Sequence, residues 1–187
     1  SRFLVTDGQG EPIIIPGASS GLRYRRVVNG GTAKQMGVEL IARQRLTFLP
    51  GYLKGFTAGV SGTKTKSEAT YPGREDRTDL TLAGFSPLLF TASLEYARGR
   101  FFVRADYRYR DDYVEGLGTD RASDEYFAAE ERVDAEMRFE IRKGLSVFAS
   151  GTNLTNRWQV SYQGYKQFVE DASLSGRKIT VGMEYKF

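Results

Sequence analysis

The sequence predicts an all-β protein, an antiparallel transmembrane sheet of the kind that closes into an outer-membrane β-barrel, and three observations lead there. The final stretch, Arg177 to Phe187, alternates strictly. Ile179, Val181, Met183, Tyr185 and Phe187 fall on one side of a period-two strand, and Lys178, Thr180, Gly182, Glu184 and Lys186 on the other. This apolar face is held to a terminal Phe, where a soluble chain usually frays into polar residues. The same pattern recurs upstream, with Val103, Ala105, Tyr107 and Tyr109 against Arg104, Asp106, Arg108 and Arg110, and with Val133, Ala135, Met137, Phe139 and Ile141 against Asp134, Glu136, Arg138, Glu140 and Arg142. Finally, tight turns at Leu49 to Gly55, Ala97 to Arg100 and Lys143-Gly144 alternate with long polar loops, as periplasmic turns alternate with surface loops.

Composition permits this architecture. The chain has 187 residues, 13% aromatic, with 21 Gly and a mean hydropathy of -0.43, and no run approaches the roughly 20 apolar residues of a transmembrane helix. Membrane barrels pass that test because only alternate residues face lipid. With no Cys and no His, thiolate and imidazole metal sites and His-based catalysis are excluded. The chain opens Ser-Arg-Phe, without Met or an apolar leader, which reads as a mature, trimmed or partial polypeptide.

In chain order, Arg2 to Thr6 is a short apolar stub, and Asp7 to about Leu22 is a Gly/Pro-rich loop containing Ile13-Ile14-Ile15. From Tyr24 to Leu46 runs a long strand in which Met36, Val38, Leu40 and Ala42 oppose Glu39, Arg43 and Arg45. Leu49-Pro50-Gly51 begins a compact reversal. Phe56, Ala58 and Val60 start the next strand, and Ser61 to Arg77 reads as a charged loop. Phe90, Ala92, Leu94 and Tyr96 descend to the turn at Arg98-Gly99. The Arg104 to Arg110 strand follows, then a loop from Asp111 to about Tyr126, then the Val133 to Ile141 strand. Leu145, Val147 and Ala149 open the penultimate strand, and Gln159 to Ser175 is the last loop. About eight strands result, an even number as such barrels require.

Two stretches carry a family resemblance. Gly151-Thr152-Asn153-Leu154-Thr155-Asn156-Arg157 followed by Gly176-Arg177, Gly182 and Phe187 resembles the penultimate and closing strands of TonB-dependent outer-membrane receptors. Asn29, Gly31, Ala33, Gly37 and Glu39 match that family's N-x-G-x-A-x-x-x-G-x-E strand in place. The resemblance runs from Tyr24 to Phe187. It implies that residues 1–187 are the C-terminal part of a single barrel domain, about the last eight strands of a larger barrel of about 22 strands, with the plug and earlier strands lying outside this chain.

What the resemblance implies about function is energy-coupled import of a scarce nutrient, such as a siderophore, cobalamin or saccharide, across the outer membrane of a Gram-negative bacterium, with no enzymatic activity and no cofactor. Its partners would be the remainder of the receptor, the TonB system through the plug, outer-membrane lipid and lipopolysaccharide, and a small nutrient ligand. Lumen or plug-facing residues would be Glu39, Arg43, Arg104, Asp106, Arg108, Asp134, Glu136, Arg138 and Glu140, able to form cross-strand charge pairs. Candidate ligand contacts are the loop residues Tyr71, Arg74, Tyr113, Arg121, Tyr126, Trp158, Tyr162 and Tyr165; the same aromatics also suit the girdle at a membrane surface. Met183, Tyr185 and Phe187 would form the C-terminal assembly signal. Two further readings fit part of the pattern: a self-contained eight-stranded barrel acting as anchor or adhesion protein, and a soluble ligand-binding barrel. Closure of the first requires Ser1 to Thr6 to pair with the final strand, and six residues are short of the roughly 9–11 a spanning strand needs.

Other motifs are weak. A pI near 9.3 and net charge of +4 could suit nucleic acid, but Tyr107 and Tyr109 oppose Arg108 and Arg110, whereas strand-binding sheets place rings and cations together. Gly59 to Ser67 lacks phosphate-loop spacing. Asp111, Asp112, Glu115, Asp120, Asp124 and Glu125 lack the spacing of a known Ca²⁺ loop and read more readily as a solvated acidic loop, so no metal site is assigned. No nucleophile and base stand in a recognisable arrangement.

Overall fold

The computed structural model describes residues 31–187. The stub Arg2 to Thr6, the loop from Asp7 to Leu22 and the motif residue Asn29 lie outside them. Seven long strands form one antiparallel sheet: β1 (Ala33–Arg45), β2 (Phe56–Ala69), β3 (Leu88–Arg98), β4 (Phe101–Arg110), β7 (Glu130–Arg142), β8 (Leu145–Thr152) and β11 (Lys178–Tyr185). They pair in that order, so β1 and β11 are the sheet's two edges among the described residues. The eighth strand that the sequence suggests is not among these residues. Four short strands, β5 (Tyr113–Gly116), β6 (Glu125–Phe127), β9 (Gln159–Gln163) and β10 (Val169–Ser173), form a second sheet in the order β10-β9-β6-β5.

The register fixes the faces. Directly opposed residues share a face, and one row runs Gln44, Ala58, Leu94, Ala105, Ala135, Gly151 and Ile179 from edge to edge. The next runs Arg45, Thr57, Glu95, Arg104, Glu136, Ser150 and Thr180. Aliphatic and aromatic side chains thus dominate one face, and charge and hydroxyls the other. Among the described residues no core lies beneath the apolar face: Val38 is 74% exposed, Ile179 71% and Val181 75%.

Three expectations need correction. Ser61 to Ala69 is not loop but the upper half of β2, paired with β1 as far as Ala33↔Ala69. Thr63, Thr65 and Ser67 alternate there with Lys64, Lys66 and Glu68, and Lys66 bridges Glu68 at 2.8 Å, so the charges decorate an extended ladder. The loops from Asp111 to Tyr126 and Gln159 to Ser175 are likewise not structureless, since they contain β5, β6, β9 and β10. The last strand ends at Tyr185, and Phe187 continues past it with its ring edge-on to Tyr185 at 5.0 Å.

The turns sit where they were expected. Pro50 leads into a 3₁₀ turn at Gly51–Gly55, and Gly99 closes the β3–β4 hairpin. Gly144 closes β7–β8 at φ +80°, where a Cβ would stand 2.5 Å from the Lys186 carbonyl oxygen. That position admits only glycine, because Lys186 N–H donates to the Gly144 carbonyl at 2.7 Å and brings the backbones together.

Candidate functional site: the loop cluster and the charged face

All three tight turns lie at one end of the seven-stranded sheet, and the connections 70–87, 111–129 and 153–177 lie at the other. Nearly all burial is at that second end. Among the described residues the buried apolar side chains are Leu80, Val114 and Tyr162, and the buried polar ones Arg74, Asp124 and Asn153.

An ion-pair network ties the first connection to the second. Asp124 is fully buried; Arg74 donates to its Oδ1 from Nη1 at 2.5 Å and to its Oδ2 from Nη2 at 3.0 Å. Arg74 also holds Asp76 through Nε at 2.9 Å and the Gly118 carbonyl at 3.1 Å. These carboxylates fix its guanidinium charge, raising its pKa, and Arg74 in turn holds Asp76 below its ordinary value. Arg77 reaches Asp124 at 3.3 Å, the Tyr126 hydroxyl at 2.9 Å and Asp79 at 2.8 Å. A carboxylate with this many donors tolerates burial that would otherwise be prohibitive.

The third connection joins through rings and strands. Tyr126 and Tyr162 stack with centroids 5.1 Å apart and planes 3° from parallel, and β6 pairs with β9. The Tyr162 hydroxyl donates to Asp112 at 3.2 Å. Burial, reinforced by the Asp112 charge, pushes its pKa up to about 12. Burial opposes ionisation of Asp112, yet Lys166 and the Tyr162 hydroxyl outweigh it and hold the carboxyl below its usual range. Arg121 sits over the Tyr165 ring at 5.2 Å.

A cleft of about 520 Å³ opens between the top of β2 and these loops, lined by Lys66, Glu68, Arg77, Asp79, Tyr113 and Tyr126, among others. Among the described residues, no group of three or more acidic side chains is arranged to hold a metal ion. The acidic loop is not simply solvated either. Asp124 is the buried counter-ion, Asp112 pairs with Tyr162, and Asp120 caps a 3₁₀ turn by accepting from Ser123 N–H at 2.9 Å.

Asn153 performs a similar joining role at the top of β8. In left-handed backbone at φ 53° and almost fully buried, it accepts from Arg157 N–H at 3.0 Å and donates from Nδ2 to the Gly176 carbonyl at 3.1 Å. Arg177 Nε donates to the Leu154 carbonyl at 2.9 Å. A Cβ on Gly151 would meet the Leu154 side chain at 2.7 Å, so glycine there lets Leu154 fold back over β8. The two sequence segments Gly151 to Arg157 and Gly176-Arg177 are therefore one physical unit.

That unit coincides with the resemblance read from the sequence, and residues 2–154 match the family "TonB dependent receptor-like, beta-barrel". The chain belongs to that family. It is a C-terminal portion of an outer-membrane receptor barrel. No curated protein sequence matches it. Among solved structures, the siderophore receptor PiuA from Acinetobacter baumannii superimposes with a TM-score of 0.61 at 18% identity, covering 84% of this chain and 22% of that one. The chain thus spans less than a quarter of that receptor's length, and at this identity the likeness speaks for the fold.

Of the candidate ligand contacts, Arg74 and Tyr162 are buried in internal contacts, and Tyr71 spends its hydroxyl on Ala83 N–H at 3.2 Å and the Thr81 carbonyl at 3.3 Å. These three tie the loops together, Arg74 and Tyr162 from buried positions and Tyr71 through its hydroxyl. Tyr113 and Tyr126 line the cleft, while Trp158 and Tyr165 are exposed. Glu39, Arg43, Arg104, Asp106, Arg108, Asp134, Glu136, Arg138 and Glu140 occupy one face together, with ion pairs Arg43–Glu95 at 3.0 Å, Arg104–Asp106 at 2.8 Å, Arg108–Asp134 at 3.3 Å and Arg138–Glu184 at 2.6 Å. Sequence reasoning missed Glu130 and Arg132 on that face and, although parity had set Arg110 there, left it out of the lumen-facing residues. It also missed Arg77, for which no local pattern exists.

Proposed function

We propose that this chain forms part of the wall and outer mouth of a TonB-dependent receptor that imports a scarce solute across the outer membrane, its charged face lining the lumen and its apolar face meeting lipid. The observation that carries this is a sheet with exposed aliphatic side chains along most of one face and, among the described residues, nearly all burial gathered in the loops at one end. Lipid is the environment in which such a face gains by exposure. Among the described residues β1 and β11 are edges, and an edge left unpaired in hydrocarbon costs several kcal/mol per backbone group; in this reading further strands of the receptor cover them, together with the plug that engages TonB.

In this reading Tyr113, Arg121, Tyr126, Trp158 and Tyr165 supply ligand contacts at the mouth, and Arg74, Tyr71 and Tyr162 hold them in place. Met183, Tyr185 and Phe187 serve insertion. The likeness to a siderophore receptor makes ferric siderophores the first solutes to try, before cobalamin and saccharides. The test is uptake of labelled solutes by cells carrying the full-length receptor. Accumulation that disappears on deletion of either the receptor or TonB is the expected result, and uptake unaffected by loss of TonB overturns the reading.

A further inference from the structure

We propose that Arg108, Arg110 and Arg132 form a binding site for an oxyanion, the carboxylate or phosphate group of a solute, on the charged face directly beneath the loop cluster. Arg108 and Arg132 stand opposite one another in the β4–β7 register, on the same face. Directly opposed like charges destabilise a strand pair. The neighbouring rung, Asp106 opposite Asp134, repeats the problem with the sign reversed, but there each carboxylate is matched. Arg104 grips Asp106 through three hydrogen bonds of 2.8 to 3.1 Å, and Asp134 takes both Arg108 at 3.3 Å and Asn153 N–H at 2.9 Å.

The arginine rung lacks that balance. Glu130 is shared between Arg110 at 3.2 Å and Arg132 at 2.6 Å. Among the described residues, three guanidinium groups therefore face two carboxylates, Glu130 and Asp134, and one positive charge is left over. A second observation points the same way: Nε of Arg110 is buried and, among the described residues, has no hydrogen-bond partner. A desolvated donor without an acceptor is costly, and the rings of Tyr113 and Phe127, 5.1 and 5.7 Å from this guanidinium, limit its movement away.

The space for an acceptor is present. A cleft of about 440 Å³ is lined by Leu89, Thr91, Arg108, Arg110, Arg132 and Gln159, among others. An oxyanion lying there would turn the opposed arginines from a repulsive pair into two planar forks around one charge, the geometry in which guanidinium binds carboxylate and phosphate best. The site rests on the reading that this face lines the lumen, which makes the anion part of a solute passing from the mouth.

The test uses full-length receptor extracted from outer membranes, with citrate and inorganic phosphate as probes in low-salt calorimetry. Saturable binding of at least one probe, weakened by added salt, is expected. Arg108→Gln and Arg132→Gln should each weaken it about tenfold or more, as loss of a charge-assisted contact requires. Arg43→Gln, on the same face but paired with Glu95, should leave it unchanged. Arg132→Lys serves as the second variant should a Gln variant fail to insert, and it should bind more weakly than wild type because a point charge replaces the fork. Absence of saturable binding, including absence because a carboxylate of the plug already fills the cluster, overturns the site, as does equal loss in Arg43→Gln. Uptake is measured separately. A receptor that binds the probes but shows no TonB-dependent uptake keeps this site and loses the transport reading, whereas one that imports a solute and ignores both probes does the reverse.

Discussion

The seven-stranded sheet and the loop cluster at its end solve opposite problems. The sheet holds together by its backbone ladder and leaves its aliphatic side chains outside; Met36, Val38 and Leu40 on β1 and Ile179, Val181 and Met183 on β11 are all well exposed. The loops bury what they can, and what they bury includes charge, with Arg74 at 5% exposure and Asp124 at 0%. A wall surrounded by lipid needs no internal core. A mouth that must present fixed groups to water needs one, even when it is built from an ion pair and stacked tyrosines. Burial in this molecule therefore marks where shape has to be preserved.

The sharpest way to break that contrast is to remove the buried counter-ion. Asp124→Ala leaves Arg74 buried without its main partner, a change that costs about 3–5 kcal/mol. The loss should be confined to the loops: hydrogen exchange should accelerate across residues 70–87 and 111–129 while β7 and β8 keep their protection. Uniform loss of protection across the sheet would show that the cluster is not a separate unit.

Next in size is a charge on the apolar face. Val181→Arg or Met183→Arg should destabilise the barrel by about 2–4 kcal/mol if these residues meet lipid near the midplane, and Thr180→Arg, on the charged face, should cost clearly less. Refolding titrations into lipid vesicles read the difference. Equal tolerance on the two faces would defeat the membrane assignment for this sheet.

The two regions also differ in how far the sequence exposes them. The long strands among the described residues were visible, β2 only as far as Val60, because a sheet with one apolar face imposes a period of two on Ile179 to Tyr185 or Val103 to Tyr109, and period is a local property. Ser61 to Ala69, where hydroxyls alternate with charges, gave no such signal. Parity even sorted the nine charged residues onto one face. The loop cluster was nearly invisible. Arg74 and Asp124 lie 50 residues apart, and nothing adjacent to either announces the other. The strands β5 and β6 are four and three residues long, too short to set up a pattern. Tyr162 read as a ligand contact because an aromatic in a polar loop looks free until its stacking partner, 36 residues away in Tyr126, is known. The carboxylates between Asp111 and Glu125 read as solvated for the same reason.

A smaller effect separates assembly from stability. Phe187 lies beyond the last rung of β11 and is fully exposed, so its deletion should leave a refolded barrel nearly as heat-resistant as wild type. If the C-terminal aromatic strand acts by adding itself to an open sheet edge of the insertion machinery, the same deletion should lower the amount inserted in cells. Normal outer-membrane levels of the deletion would remove the assembly role from this residue.

The smallest effect is a pH window on the Tyr162–Asp112 contact. The Asp112 carboxyl is held below its ordinary 3.8, so its contribution is complete above that value and is lost as pH falls through the lowered one. The Tyr162 hydroxyl is raised from 10.0 to about 12, so its contribution is complete below 10.0 and is lost as pH rises towards 12. The contact that ties the third connection to the second is therefore at full strength between those limits and weakens on both sides. Hydrogen exchange in β9, corrected for its intrinsic pH dependence, should follow this window. Tyr162→Phe should remove the alkaline limb and lower protection at neutral pH by about 1 kcal/mol, the worth of one hydrogen bond. The row from Gln44 to Ile179 carries no titratable side chain, so amides along it are the internal reference. If β9 in Tyr162→Phe keeps the alkaline limb of wild type, the hydroxyl is not the group responsible, and the tie between the loops rests on the stacked rings and the β6–β9 ladder alone.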